Sequence, residues 1–107
     1  MHNTFPESTS KLDAILITLA NIPSGKVCSY GDIAKKSGYP GLARYVAKIL
    51  KDLPGNSQIP WHRVINSQGK ISFPVNSTMY CLQLSKLQKE GVLLSSSNTV
   101  PKEFFWD

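Results

Sequence analysis

Two cysteines, at positions 28 and 81, and two histidines, at positions 2 and 62, are the residues from which nucleophilic or metal chemistry would have to be assembled. Their spacing fits no metal-ligand pattern, so no metal site is expected. Cys28 and His62 could in principle form a thiolate–imidazole pair, the histidine taking the thiol proton. Cys28, however, follows Val27 in a segment that reads as a buried approach to a helix, and a buried lone thiol stays protonated and inert. The acids form no clear glycosidase-like pair, and no glycine-rich loop with a lysine is present to cradle phosphate. Neither a catalytic centre nor a cofactor site is expected.

Cations are the other source of chemistry. The net charge is +5, and the stretch from Lys26 to Lys70 holds six lysines and two arginines against only Asp32 and Asp52. Such a concentration steers a polyanion toward one face, although a net charge of this size also serves solubility alone. Within that stretch Arg44, Lys48 and Lys51 follow at helical spacing, which places three cations on one ridge. Ala43 and Ala47 beside them are small enough for close approach to a groove or a backbone. An ordinary solvated helix face would look the same.

The elements that must carry these residues are mostly helical. Leu12, Ile15, Leu16 and Leu19 recur at three- and four-residue steps, with Ser10 and Asp13 as a capping box, and Pro23 and Gly25 end that helix near Asn21. Ser29 and Asp32 repeat the cap signal before a short helix through Ile33, Ala34 and Lys36. After the Gly38-Tyr39-Pro40-Gly41 break, a third helix presents Leu42, Val46, Ile49, Leu50 and Leu53 on its apolar side. Val64 and Ile65 read as core, and Asn66 to Gly69 as a turn joining short extended segments. A last helix is expected from Cys81 to Glu90, with Leu82, Leu84, Leu87 and Val92 as its apolar contributors. The apolar tail Phe104-Phe105-Trp106 should pack back on the domain.

Two short helices about a glycine-containing turn, preceded by a longer one, outline a helix-turn-helix unit. The fold class expected is mainly α, a winged-helix-like helix-turn-helix domain, with residues 1–107 as one domain. Apolar residues make up 41% of the chain and charged ones 18%, which excludes a disordered chain. No apolar run approaches the roughly 20 residues of a membrane span, and Met1 to Ser10 show no secretory signal. A monomer in the cytoplasm is expected.

The run Pro60-Trp61-His62-Arg63-Val64-Ile65 resembles the Pro-Cys-His-Arg-Val active-site signature of the O6-alkylguanine-DNA alkyltransferases, with tryptophan in place of the acceptor cysteine. Gly25-Lys26-Val27 with Tyr30-Gly31-Asp32-Ile33-Ala34, and Gly38-Tyr39-Pro40 with Ala43-Arg44-Tyr45-Val46, match further motifs in the same order. From about Lys11 to Gly91 the chain is similar to the C-terminal DNA-binding domain of those enzymes, in the form of the alkyltransferase-like proteins. The resemblance implies non-enzymatic binding of O6-alkylguanine in double-stranded DNA by nucleotide flipping, and delivery of the lesion to nucleotide excision repair proteins.

It further implies that Arg44 enters the base stack and that Tyr30 presses on the phosphate beside the flipped nucleotide. Ser29, Tyr30, Lys48 and Lys51 would meet the DNA backbone. Tyr30, Trp61, His62, Arg63 and Val64 would form the lesion pocket, His62 in a structural role now that it has no thiol to deprotonate. Leu53 stands where the transferases carry an asparagine hinge, so a role for Asn56 would require a shifted loop. The segment Phe73-Pro74-Val75-Asn76-Ser77 lacks the basic residues that other alkyltransferase-like proteins carry there. Two alternatives come from other classes: a suicide alkyltransferase using Cys28 or Cys81, and a protein-binding helix-turn-helix module.

Overall fold

The computed structural model describes residues 10–107. His2 and the N-terminal segment before Ser10, read above as carrying no secretory signal, lie outside the described residues. The order of elements is α1 (Lys11–Ala20), β1 (Cys28–Ser29), α2 (Tyr30–Lys36), α3 (Ala43–Lys51), a 3-10 turn (Trp61–Arg63), β2 (Val64–Ile65), α4 (Thr78–Lys89) and a second 3-10 turn (Lys102–Phe104). The fold is mainly helical, and α2 and α3 form the helix-turn-helix pair. No helix among the described residues is long and apolar enough to cross a membrane.

The two cap signals work as expected. Ser10 Oγ accepts the Asp13 N–H at 3.1 Å, and Ser29 Oγ accepts the Asp32 N–H at 3.1 Å, each satisfying an orphan donor of a first turn. Helix α2 ends in a Schellman motif, with Gly38 at φ +90° and Tyr39 N–H donating to Ala34 carbonyl at 2.9 Å. That motif reverses the chain and sends it into α3. α3 itself starts at Leu42 without any side-chain cap.

The face that α1 buries is the expected one except at Leu12: Ile15 and Leu19 are buried and Leu16 packs against the same core, whereas Leu12 is exposed. Ala14 and Thr18 are buried with them. The Thr18 hydroxyl accepts from Ser37 Oγ at 2.9 Å and donates to Ala14 carbonyl at 2.9 Å, so α1 turns a polar residue inward to meet the end of α2. Helix α4 likewise begins earlier than expected, because Ser77 caps it by accepting the Tyr80 N–H at 3.2 Å. Its buried residues are Tyr80, Gln83 and Leu87, and Leu82 faces outward.

The strands are two residues each and pair in parallel, Cys28 with Val64 and Ser29 with Ile65. The turn at Asn66 therefore does not fold a neighbouring strand back onto β2. It is closed by Asn66 Oδ1, which accepts the Gln68 and Lys70 N–H groups at 2.9 and 3.0 Å. The C-terminal tail supplies a third parallel partner, as the Val27 N–H donates to Phe104 and the Trp106 N–H to Val27, both at 2.8 Å.

Because side chains alternate along a strand, this small sheet divides two cores. Cys28 and Val64 face Ile15, Leu19, Ile33 and Val46 of the helix-turn-helix side. Val27 and Ile65 face Ile71, Tyr80, Leu87 and Val100 on the other. The Trp61–Arg63 turn leads directly into β2, whose Val64 and Ile65 enter one core each.

Candidate nucleic-acid interface and its cavity

Helix α3 buries Val46 and Ile49 and leaves Arg44, Lys48 and Lys51 exposed, so the three cations do share an outward ridge. Lys48 Nζ lies 2.9 Å from Asp52 Oδ2, but the two side chains are 72% and 62% exposed. An exposed pair of this kind is weak, being screened by solvent, and yields readily to a phosphate. Both Lys48 and Lys51 sit in the last turn, where their charge also complements the helix dipole.

Beside this ridge opens a cavity of about 620 Å³. Tyr30, Trp61, Val64 and Phe73 line it, together with Leu50 and Lys51 from α3, Leu53 to Gly55 from the following loop, and Met79, Leu82 and Gln83 from α4. Its size falls in the range of roughly 300–1,000 Å³ typical of small-molecule pockets, enough for a purine base with a substituent. Among the described residues the lining holds no carboxylate, and Lys51 is its one charged side chain. Trp61 meets Phe73 edge to face, with ring centroids 6.4 Å apart at 85°. Tyr30 Oη and Ser72 Oγ are 2.9 Å apart, tying the start of α2 to the wall after β2.

Of the expected pocket residues, Tyr30, Trp61 and Val64 line the cavity. His62 and Arg63 do not, because both turn away into a carboxylate behind the wall. His62 Nε2 lies 2.8 Å from Glu90 Oε2, and Arg63 donates from Nη2 at 2.7 Å and from Nε at 3.0 and 3.1 Å to the same carboxylate. Arg63 Nη1 also donates to Ile22 carbonyl at 2.8 Å, and the Gly25 N–H donates to Glu90 Oε1 at 2.9 Å. The Trp61–Arg63 turn is thereby fastened to the end of α4 and to the loop after α1. Arg44 and Lys48 lie on the open ridge outside the cavity lining, and Ser29 spends its hydroxyl on capping α2.

Burial acts against the charged form of Glu90, but the hydrogen bonds from Arg63, the Gly25 N–H and His62 outweigh it and hold the carboxyl at about 2. Burial, and then the Asp32 carboxylate, push the Cys28 thiol up to about 11. Cys28 is therefore a neutral core thiol at physiological pH. Cys81 is exposed but lies outside the cavity lining.

Two residues of this region had no sequence signal. Glu90 meets Arg63 across 27 positions, and Gln83 meets His62 and Val64 across 21 and 19. Separations of that length are set by packing and leave no local pattern.

The chain matches the family model of the 6-O-methylguanine DNA methyltransferase DNA-binding domain over residues 12–92. It is 45% identical over 93 residues to the DNA base-flipping protein of Vibrio parahaemolyticus, covering 86% of this chain and 91% of that protein. Over 74 residues it is 45% identical to alkyltransferase-like protein 1 of Schizosaccharomyces pombe, covering 69% of this chain and 68% of that one. Its fold superposes on S. pombe Atl1, crystallised with damaged DNA containing O6-carboxymethylguanine, with a TM-score of 0.77 at 35% identity, over 91% of this chain and 94% of that one. In sequence and in fold, the chain belongs to the 6-O-methylguanine DNA methyltransferase DNA-binding-domain family and, within it, to the alkyltransferase-like, base-flipping proteins.

Proposed function

We propose that this chain binds double-stranded DNA, recognises O6-alkylguanine by turning the nucleotide out of the duplex, and leaves the lesion chemically unchanged. The observation that carries this reading is the cavity walled by Trp61 directly beside the basic ridge of α3. Transfer would require a thiolate to displace guanine O6 from the alkyl carbon, with a new S–C bond replacing the O–C bond. An indole cannot act as that nucleophile. Cys28 is a buried neutral thiol and Cys81 stands away from the cavity, so neither supports the suicide-transferase alternative.

In this reading Lys48, Lys51 and the start of α2 at Ser29 and Tyr30 meet the DNA backbone. Arg44 enters the stack where the nucleotide has left. Flipping costs a few kcal/mol of unstacking and unpairing, which a damaged pair lowers and an inserted guanidinium partly offsets. Trp61 and Val64 receive the base, while His62 and Arg63 act from behind the wall by holding the turn through Glu90. A protein that holds a lesion without reversing it contributes to repair only when other proteins remove the lesion. Delivery to nucleotide excision repair proteins is consistent with that role, and we further propose that the chain acts as a monomer in the cytoplasm.

The test is titration at fixed salt into matched duplexes with and without one O6-methylguanine, followed by mass analysis of both partners. Preferential binding is expected, with protein and base masses unchanged. An alkyl mass gained by the protein, or equal affinity for the two duplexes, would overturn the proposal.

A further inference from the structure

Tyr30 and Ser72 both line the cavity, and they reach it from opposite cores. The Tyr30 ring packs against the helix-turn-helix core, so its phenol oxygen ends a short, stiff side chain. Ser72 stands between Ile71, which is buried in the other core, and Phe73, which packs on that core and meets Trp61 edge to face. Both hydroxyls are thus carried by well-anchored neighbours. Their oxygens lie 2.9 Å apart, in an exposed hydrogen bond between residues 42 positions apart in sequence. Water competes for a bond so exposed, and its contribution to folding is correspondingly small. What the bond fixes is the direction of the phenol at the edge of the cavity.

We infer that Ser72 is a positioning residue for DNA binding, whose hydroxyl holds Tyr30 Oη and aims the phenol proton at a backbone phosphate next to the flipped nucleotide. The inference rests on the reading in which Tyr30 meets the DNA backbone, and adds to it the residue that orients Tyr30. A hydroxyl has one proton and two lone pairs, so Oη can accept from Ser72 while it donates elsewhere. A phosphate oxygen carries no proton and can only accept. That sets the direction of the relay: Ser72 O–H donates to Tyr30 Oη, and Tyr30 O–H donates to the phosphate. A phenol that accepts one hydrogen bond is polarised to give a stronger one, and the anionic acceptor strengthens it further.

A double-mutant cycle read on altered phosphates tests the relay. Wild type, Ser72→Ala, Tyr30→Phe and the double variant are titrated at fixed salt into an O6-methylguanine duplex, and into the same duplex with a neutral methylphosphonate at one or the other phosphate flanking the lesion. Ser72→Ala should weaken binding to the natural alkylated duplex about fivefold, the worth of one ordinary hydrogen bond. In the Tyr30→Phe background the same change should cost nothing further, and Ser72→Thr, which keeps the hydroxyl, should bind as the wild type does. With the methylphosphonate at the contacted phosphate, Ser72→Ala and wild type should bind alike. Thermal unfolding should move little, because the bond is exposed. Full affinity in Ser72→Ala, a loss that persists in the Tyr30→Phe background, or a loss that persists on both methylphosphonate duplexes would overturn the inference and leave the lesion reading standing. Equal wild-type affinity for guanine and O6-methylguanine duplexes would sink the lesion reading, and the inference with it.

Discussion

Arg44 and Lys48 carry the same charge on the same exposed ridge of α3, one helical turn apart, and a purely electrostatic account makes them equivalent. Intercalation makes them different. Lys48→Ala and Lys51→Ala should weaken binding to damaged and undamaged duplexes by similar factors and lower the salt slope by about one each. Lys51 borders the cavity, so a small lesion-dependent share is expected there as well. Arg44→Ala should lose about 1–3 kcal/mol selectively on the alkylated duplex, from lost stacking and a lost hydrogen bond to the orphaned cytosine. Anisotropy reports the affinities, and a fluorescent base analogue beside the lesion reports the flipped population. An unchanged analogue signal and affinity ratio in Arg44→Ala would reduce Arg44 to a phosphate contact. At this scale the sequence was informative where function is contiguous: Pro60 to Ile65 is one run, and Arg44 to Lys51 one helix. It was silent on Glu90 and Gln83, whose partners lie 19 to 65 positions away. It also grouped His62 and Arg63 with Trp61, although neighbours on a 3-10 turn point in different directions, and these two point to Glu90.

Among the elements, the helices whose ends carry a side-chain cap paired with an acid were legible in the sequence. Ser10 with Asp13 and Ser29 with Asp32 announce α1 and α2, whereas Ser77 is followed three residues later by Tyr80 and gives no such box, so the sequence places the start of α4 too late. In α1 periodicity places Ile15, Leu16 and Leu19 correctly but favours Leu12 over Thr18, and only the hydroxyl pair with Ser37 makes the polar residue the buried one. Helix ends also supply a paired test. Gly91 at φ +87° closes a Schellman motif on α4, where the Val92 N–H donates to Leu87 carbonyl at 3.0 Å. A Cβ there meets nothing within 4 Å, so Gly91→Ala should cost only the backbone strain of a left-handed residue, about 1 kcal/mol. Gly31 lies inside α2 with an equally open surround and no positive φ, so Gly31→Ala should stabilise the free protein by about 0.5–1 kcal/mol. Thermal unfolding without DNA measures both. Shifts of the same sign would contradict the helix assignment at one of the two sites.

For the molecule as a whole, two cores meet at a sheet whose two principal strands are too short to show in the sequence, and Glu90 is the side chain that ties their surroundings together. It follows α4, bonds the turn that carries Trp61, and through the Gly25 N–H and the Arg63 contact to Ile22 reaches the loop that links α1 to β1. Its carboxyl lies at about 2 in the folded protein against an ordinary 4.5, so folding favours the ionised form. A depressed carboxyl contributes stability that is fully present above its unfolded value and lost as pH falls through the folded one. Glu90 should therefore stabilise the protein fully above about pH 4.5 and lose that contribution progressively down to about pH 2. Glu90→Gln keeps the shape but leaves Arg63 without its counter-charge, and at neutral pH it should cost about 2–3 kcal/mol. Because the variant has nothing to protonate at position 90, its stability should fall less steeply than that of the wild type between pH 4.5 and 2. Chemical denaturation across that window, followed by far-ultraviolet circular dichroism and by tryptophan fluorescence, measures the two slopes. If Glu90 links both cores, the two signals should remain coincident in the wild type, and the difference in stability between wild type and variant should shrink as the pH falls. Parallel curves with a constant offset would show that the loss comes from packing and that the charge of Glu90 does not hold the turn in place.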